Sequence, residues 1–229
     1  NRMDKIWNPR AAYVLARLGS AFGRETGDVM RFEEGAGLVE VEIQRNGGAI
    51  AGARIRAPRA LEVGQEIQPS AIASCASLDG GDIVTQTHQP MFASAGLPFA
   101  IAEVASLDAL AKASPNVSAF RATDQRHPSA LDRLSLFLYV RTAVQRVRAR
   151  MFAPLSNILE DPATGSASAA LGGLLASLEG ARSFELTVEQ GVEMGRPSLI
   201  EVSVADGSIF VAGGCVPVMR GELSLEDTP

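Results

Sequence analysis

The chain is poor in the residues from which metal sites and disulfide frameworks are built. It holds two cysteines, Cys75 and Cys215, among 229 residues. They are far apart and neither has a second ligand at metal-binding spacing, so neither a disulfide scaffold nor a zinc site is indicated and no metal is expected. Two histidines, His88 and His127, are too few for chemistry that needs a histidine cluster. Basic runs are missing as well: 21 Lys plus Arg stand against 26 Asp plus Glu, a net charge of −5. A mildly acidic chain without a basic patch lacks the electrostatic footprint of a nucleic-acid binder. The longest apolar stretch, 167–178, contains glycine and serine and falls short of the ~20 residues a membrane span needs, so no membrane partner is expected. The first ten residues are polar and charged, without the apolar core of a signal peptide. Together with the sparse cysteine this points to a reducing, cytoplasmic setting.

What is present describes a globular protein of one large or two smaller domains, 46% hydrophobic and 21% charged. Ala11, Ala12, Val14, Leu15 and Leu18 recur at helical spacing, and Gly19 suits a C-cap. Strands are expected at 28–33, 38–45 and 49–57, the last two joined by an Asn46-Gly47-Gly48 turn. Residues 61–81 read as a polar, alanine-rich connection with a helix at 70–77. Further strands are expected at 83–87, 96–104, 134–140 and 147–152, with a helix opening at Ser106 as N-cap. The helix at 165–178 is apolar on nearly every side and must lie inside the protein. Strands at 183–189, 198–204 and 208–218 follow, with Asp206-Gly207 as a turn. The pattern is α+β: curved sheet wrapped around a buried helix. A helix followed by strand pairs occurs early and again late, which suggests two similar units, 1–88 and 89–229, with the last strand returning to the first.

The stretch that carries chemistry is Glu160-Asp161-Pro162-Ala163-Thr164-Gly165-Ser166-Ala167. It leads into the N-terminus of the buried helix, where the first amides lack intrahelical partners and the dipole is positive. Thr164 or Ser166 can cap one amide, and the remaining amides can hold an anion. Gly165 lets a ligand approach the backbone. Gly165, Ser166 and Ala167 thus form a carboxylate cradle, with Asp161 placed to pass a proton to or from the bound molecule. The same residues also read as an ordinary turn and cap. The tilt comes from the helix: free amides in an interior need a partner or a ligand.

This stretch resembles the signature of PhzF-like proteins, the phenazine-biosynthesis isomerase family with the diaminopimelate-epimerase fold. Further matches stand in order along the chain: Gly96-Leu97-Pro98-Phe99 followed by Ser106-Leu107-Asp108-Ala109-Leu110; Arg148-Ala149-Arg150-Met151-Phe152-Ala153-Pro154; Glu189-Gln190-Gly191-Val192-Glu193-Met194-Gly195-Arg196-Pro197-Ser198; and Gly213-Gly214-Cys215-Val216-Pro217-Val218. The resemblance spans about 11–221. It implies two similar domains, each a curved sheet around a central helix, with the site in the cleft between them. It implies proton transfer on a small carboxylate-bearing metabolite with no cofactor, Asp161 assisting, and Gly165 and Ser166 binding substrate; the reading of the loop itself adds Ala167 and Thr164 to the substrate-binding residues.

Family members begin with a segment that carries the main acid/base glutamate and ends in a Gly-His-Pro motif. Here the helix at 11–18 is preceded by Ile6-Trp7-Asn8-Pro9-Arg10, and residues 1–10 have no counterpart in the family pattern. The first domain is therefore expected to be incomplete, with a sheet edge or part of its central helix exposed, which a homodimer contact, a swapped element or a disordered start would relieve. The alternative to an isomerase is a catalytically impaired small-molecule-binding protein that keeps the anion site and lacks the acid/base. Glu25, Asp28, Glu33 and Glu34 are the first-half carboxylates from which a replacement would have to come. Cys75 and Cys215 are expected to be structural, His88 and His127 to lie at the surface. Arg148 and Arg150, alternating on one strand, are expected to share a solvated or salt-bridged face.

Overall fold

A computed structural model of the chain describes residues 9–21, 23–34, 37–128, 133–218 and 221. The residues ahead of the first helix, compared above with the family's motif, lie outside the described ones. Helix α1 (Pro9–Leu18) ends at Gly19, whose φ of 74° is the left-handed C-cap its position calls for. A two-residue pair, β1 (Ser20–Ala21) and β2 (Arg24–Glu25), precedes the meander β3 (Val29–Glu34), β4 (Gly37–Asn46) and β5 (Ala49–Arg56). Gly47 and Gly48, both at positive φ, make the turn between the last two. Then come β6 (Glu62–Glu66), α2 (Pro69–Ala76), β7 (Ile83–Val84), β8 (Met91–Ser94), β9 (Pro98–Val104), α3 (Leu107–Lys112) and α4 (Val117–Arg126). The chain closes with β10 (Leu136–Ala143), β11 (Arg146–Ala153), β12 (Ile158–Asp161), α5 (Gly165–Leu178), β13 (Ser183–Gln190), β14 (Ser198–Ala205) and β15 (Ser208–Gly214).

One sheet of 13 strands runs β3-β4-β5-β15-β14-β13-β11-β10-β9-β8-β6, with β12 on β11 and β7 on β9. The β9–β10 and β11–β13 pairs are parallel and the rest antiparallel. The final strand pairs β5, Ala212 opposite Arg54 and Gly213 opposite Ala53. The approach is close: a Cβ on Gly52 would collide with the Gly213 carbonyl oxygen. Ahead of residue 89, β6 pairs β8 and β7 pairs β9.

One face of the sheet wraps α1 and α5 in the larger core, where Tyr139, Phe137, Leu171 and Leu174 are buried. The opposite face of β9 and β10 carries α2, α3 and α4 over Ile72, Leu110, Phe120 and Leu136. Helix α5 is buried from Ala167 to Ala176. Its glycines allow this: a Cβ on Gly172 would stand 2.5 Å from Val202 Cγ1, and one on Gly173 2.7 Å from Ile209 Cδ1. The sheet can close on the helix only where side chains are absent.

The expected strands are largely present with shifted ends. The stretch at 83–87 reduces to two residues, 134–140 begins at Leu136, and 208–218 stops at Gly214. Within the presumed connection 61–81 lies β6, and α4 and β8 fall where neither was expected.

Candidate active site

Strand β12 and the start of α5 bracket the loop at 161–164. Register fixes its place: Met151 of β11 opposes Asp161, and Ala149 of the same strand opposes Gln190 of β13. The loop therefore lies against the end of β13. Inward-facing positions of β13 are Phe184, Leu186, Val188 and Gln190, so the alternation that fills the core with apolar groups ends on a fully buried amide.

That amide ties the loop together. Gln190 Nε2 donates to the Asp161 carbonyl oxygen at 2.6 Å and to Thr164 Oγ1 at 3.0 Å, and Gln190 Oε1 accepts from the Thr164 amide at 3.0 Å. Thr164 Oγ1 in turn donates to Asp161 Oδ2 at 2.7 Å. The next residue, Gly191, has φ of 79°, and a Cβ there would run into the Arg196 carbonyl and stand 2.7 Å from the Pro162 carbonyl oxygen. Only glycine permits the chain to turn at the end of β13 directly against Pro162.

The Thr164 hydroxyl, spent on Asp161, does not cap α5, contrary to one capping assignment above. Its carbonyl instead receives both the Ser168 amide and the Ser168 hydroxyl, each at 3.0 Å. Among the described residues no acceptor satisfies the amides of Gly165, Ser166 or Ala167. Gly165 and Ser166 are half-buried, Ala167 is buried, and Asp161 is partly exposed beside them. A Cβ on Gly165 would meet Val211 Cγ1 at 3.5 Å, an ordinary contact. The fold by itself thus leaves room for a side chain at Gly165. Asp161, Thr164, Gly165, Ser166 and Ala167 are brought together at one helix end, as the sequence pattern anticipates.

Glu160, one residue ahead of Asp161, points to the opposite face of the sheet. It takes two hydrogen bonds of 2.8 Å from Arg150 Nε and Nη2. Arg150 Nη1 donates to the carbonyls of Leu110, Ala111 and Ala113 at 3.0, 3.1 and 2.7 Å, satisfying the end of α3. Arg148 pairs with Glu189 at 2.8 Å. Both arginines thus stand on a salt-bridged face.

His88 departs from expectation: it is buried, 6% exposed. Its Nε2 lies 3.0 Å from the Tyr139 hydroxyl, which donates to Glu103 Oε2 at 3.1 Å. Burial, reinforced by the Glu103 charge, pushes the Tyr139 phenol above its usual range. Three polar side chains inside a core satisfy one another, a partnership no local pattern announces. His127 is only partly exposed and packs beside Phe92. Cys75 is buried with its thiol on Thr123, and burial raises its pKa; Cys215 is partly exposed. Of the first-half carboxylates, Asp28 is exposed and paired with Arg45, Glu25 and Glu33 are exposed, and the Glu34 side chain lies outside the described residues. Among the described residues, no three His, Cys, Asp or Glu side chains converge as a metal-binding group, and no helix is long and apolar enough to cross a membrane.

Curved sheet wrapped on a central helix is the diaminopimelate-epimerase-like fold. The chain belongs to the phenazine biosynthesis-like protein family, PhzC-PhzF, which it matches over residues 11–221. It is 32% identical over 227 residues to a protein named as an uncharacterized isomerase in Mesorhizobium japonicum, covering 93% of this chain and 72% of the relative. It is 29% identical over 227 residues to the trans-2,3-dihydro-3-hydroxyanthranilate isomerase of Pseudomonas fluorescens, covering 95% and 75%. The crystal structure of a PhzF-family phenazine biosynthesis protein from Bacillus anthracis superposes with a TM-score of 0.73 at 23% identity, over 88% of this chain and 69% of that one, and so shares its fold. The class is that of isomerases.

Proposed function

We propose that the chain catalyses a cofactor-independent proton shift or epimerisation on a small carboxylate-bearing metabolite, at a cleft between two domains (1–88 and 89–229) of a cytoplasmic protein. The observation that carries this is the single loop that presents the Asp161 carboxylate and the unpaired amides of Gly165, Ser166 and Ala167 side by side. Abstracting a proton next to a carboxylate builds enolate charge, which oriented helix-terminal amides stabilise. In this reading those amides and the Ser166 hydroxyl hold the substrate carboxylate. Thr164 orients Asp161, and Asp161 takes the proton from carbon or returns it. A homodimer contact over the outer face of α1, where Val14 and Leu18 are 54% and 65% exposed, belongs to the same reading.

The test uses trans-2,3-dihydro-3-hydroxyanthranilate, the compound in the P. fluorescens relative's name, incubated with the protein in D2O and followed by proton NMR. Enzyme-dependent deuterium incorporation or isomerisation is expected. Asp161→Asn is expected to slow it about 10²–10⁴-fold. Saturable binding of the same compound with no exchange by either protein would favour the impaired-binder alternative.

A further inference from the structure

We propose that Gln190 is a positioning residue that commits one oxygen of Asp161 and leaves the other to carry the proton; this rests on the reading of Asp161 as the proton-transfer group. The Gln190 amide cannot be turned over. Its Oε1 faces the Thr164 amide, which only donates, and its Nε2 faces the Asp161 carbonyl, which only accepts. Nε2 therefore also donates to Thr164 Oγ1. The Thr164 hydroxyl hydrogen then points the other way, to Asp161 Oδ2 at 2.7 Å. Hydrogen-bond direction runs Gln190 to Thr164 to Asp161 and ends on Oδ2 as an acceptor.

A carboxyl whose Oδ2 already accepts from a fixed donor takes its proton on Oδ1. In the forward step the substrate C–H bond breaks, its electron pair passes into the carboxylate-conjugated enolate, and an O–H bond forms at Oδ1. In the return step that O–H breaks and a C–H bond forms. Gln190 never touches the substrate. Being fully buried and held at both ends, it sets which oxygen faces the reacting carbon, and sub-ångström placement of a proton acceptor is worth large factors in rate.

The first measurement needs no substrate. In isotope-labelled protein, the Thr164 hydroxyl hydrogen is expected to exchange with water about tenfold slower in the wild type than in Gln190→Leu, the worth of one hydrogen bond. Equal exchange in both would overturn the proposal. The second is kinetic, on the probe compound above. Gln190→Leu and Thr164→Val are expected to lower kcat by about 10²-fold while KM moves by less than about threefold. Thr164→Val leaves both of the amide's backbone bonds in place, so it decides the matter if Gln190→Leu does not fold. If Asp161→Asn abolishes exchange while both of these variants keep wild-type kcat, the positioning role is wrong and the Asp161 reading stands. If Asp161→Asn itself turns over normally, it is the underlying reading that fails.

Discussion

Arg150→Met removes five hydrogen bonds and leaves a carboxylate behind. The arginine is 7% exposed, and the Glu160 side chain that takes two of its donors is 15% exposed. Methionine follows the arginine stem as far as Nε and has a similar volume, though it does not reach the place where the guanidinium lies 4.9 Å over the Phe152 ring, so the loss is mainly electrostatic. Breaking a buried ion pair from one side costs about 3–5 kcal/mol, because the remaining charge keeps its burial and loses its partner. The carbonyls of Leu110, Ala111 and Ala113 lose their shared donor too, which adds about 1 kcal/mol where water can partly replace it. The total of about 4–6 kcal/mol corresponds to a fall in Tm of about 10–20 °C for a chain this size. Glu160→Gln leaves Arg150 with a neutral acceptor and should cost about 1–2 kcal/mol. The double variant has no stranded charge, so it should recover about 2–3 kcal/mol over Arg150→Met alone. Urea denaturation of the four proteins at neutral pH measures the cycle. Strictly additive costs, or an Arg150→Met protein within about 1 kcal/mol of wild type, would show that the pair behaves as a surface contact and that the burial argument is wrong.

Other outcomes follow from the same geometry. Lys112 lies 3.0 Å from Asp82 and holds that carboxyl below its ordinary value of 3.8, while the lysine is raised above 10.5. A depressed acid stabilises above its unfolded value and loses that contribution as pH falls through the folded one, and a raised lysine loses its share as pH rises through its folded value. The urea-midpoint difference between wild type and Lys112→Met should therefore be flat from about pH 5 to 9, vanish in strong acid, and shrink in 1 M salt; a difference that persists in strong acid refutes the assignment. Cys75, buried and raised in pKa above 9.0, should resist a thiol reagent until the protein unfolds, whereas the partly exposed Cys215 labels in the native state; mass-mapped labelling distinguishes them. Tyr139→Phe strips a hydroxyl that joins His88 to Glu103 and should cost about 1–3 kcal/mol by leaving buried groups unsatisfied, read from the urea midpoint.

What the sequence made legible was whatever short-range chemistry determines. Helix α5 falls on the residues its all-round apolar pattern marks out, because nothing but the interior suits such a helix. The turn at Gly47-Gly48 and the Ser106 cap, which accepts from the Ala109 amide at 3.0 Å, are likewise decided within a few residues. Strand β6 was hidden for the opposite reason. Glu62–Glu66 is exposed throughout and shows no alternation, and it is a strand only because β8 is there to pair with it. Helix α4 is polar over most of its length and is held by the Asn116 cap and by Phe120. The burial of His88 rests on partners at Tyr139 and Glu103 that are distant in sequence.

The site divides along the same line. Asp161 and the helix-terminal amides follow one another in the chain, so a linear motif displays them. Gln190 is 29 residues from Asp161 and 26 from Thr164, and the parallel β11–β13 pairing alone brings it there. A local signal for it does exist. The inward positions Phe184, Leu186 and Val188 call for an apolar residue next, and the chain supplies an amide instead. Burying that group is unfavourable unless each of its hydrogen-bonding atoms finds a partner, and here both do, every one of them on the loop that carries Asp161. An apolar side chain would fill the volume without that desolvation cost but would leave the Thr164 amide and the Asp161 carbonyl unpaired and the Thr164 hydroxyl without the donor that orients it. The break in an otherwise regular core pattern is thus what ties the Asp161 loop to the end of β13 in a single arrangement.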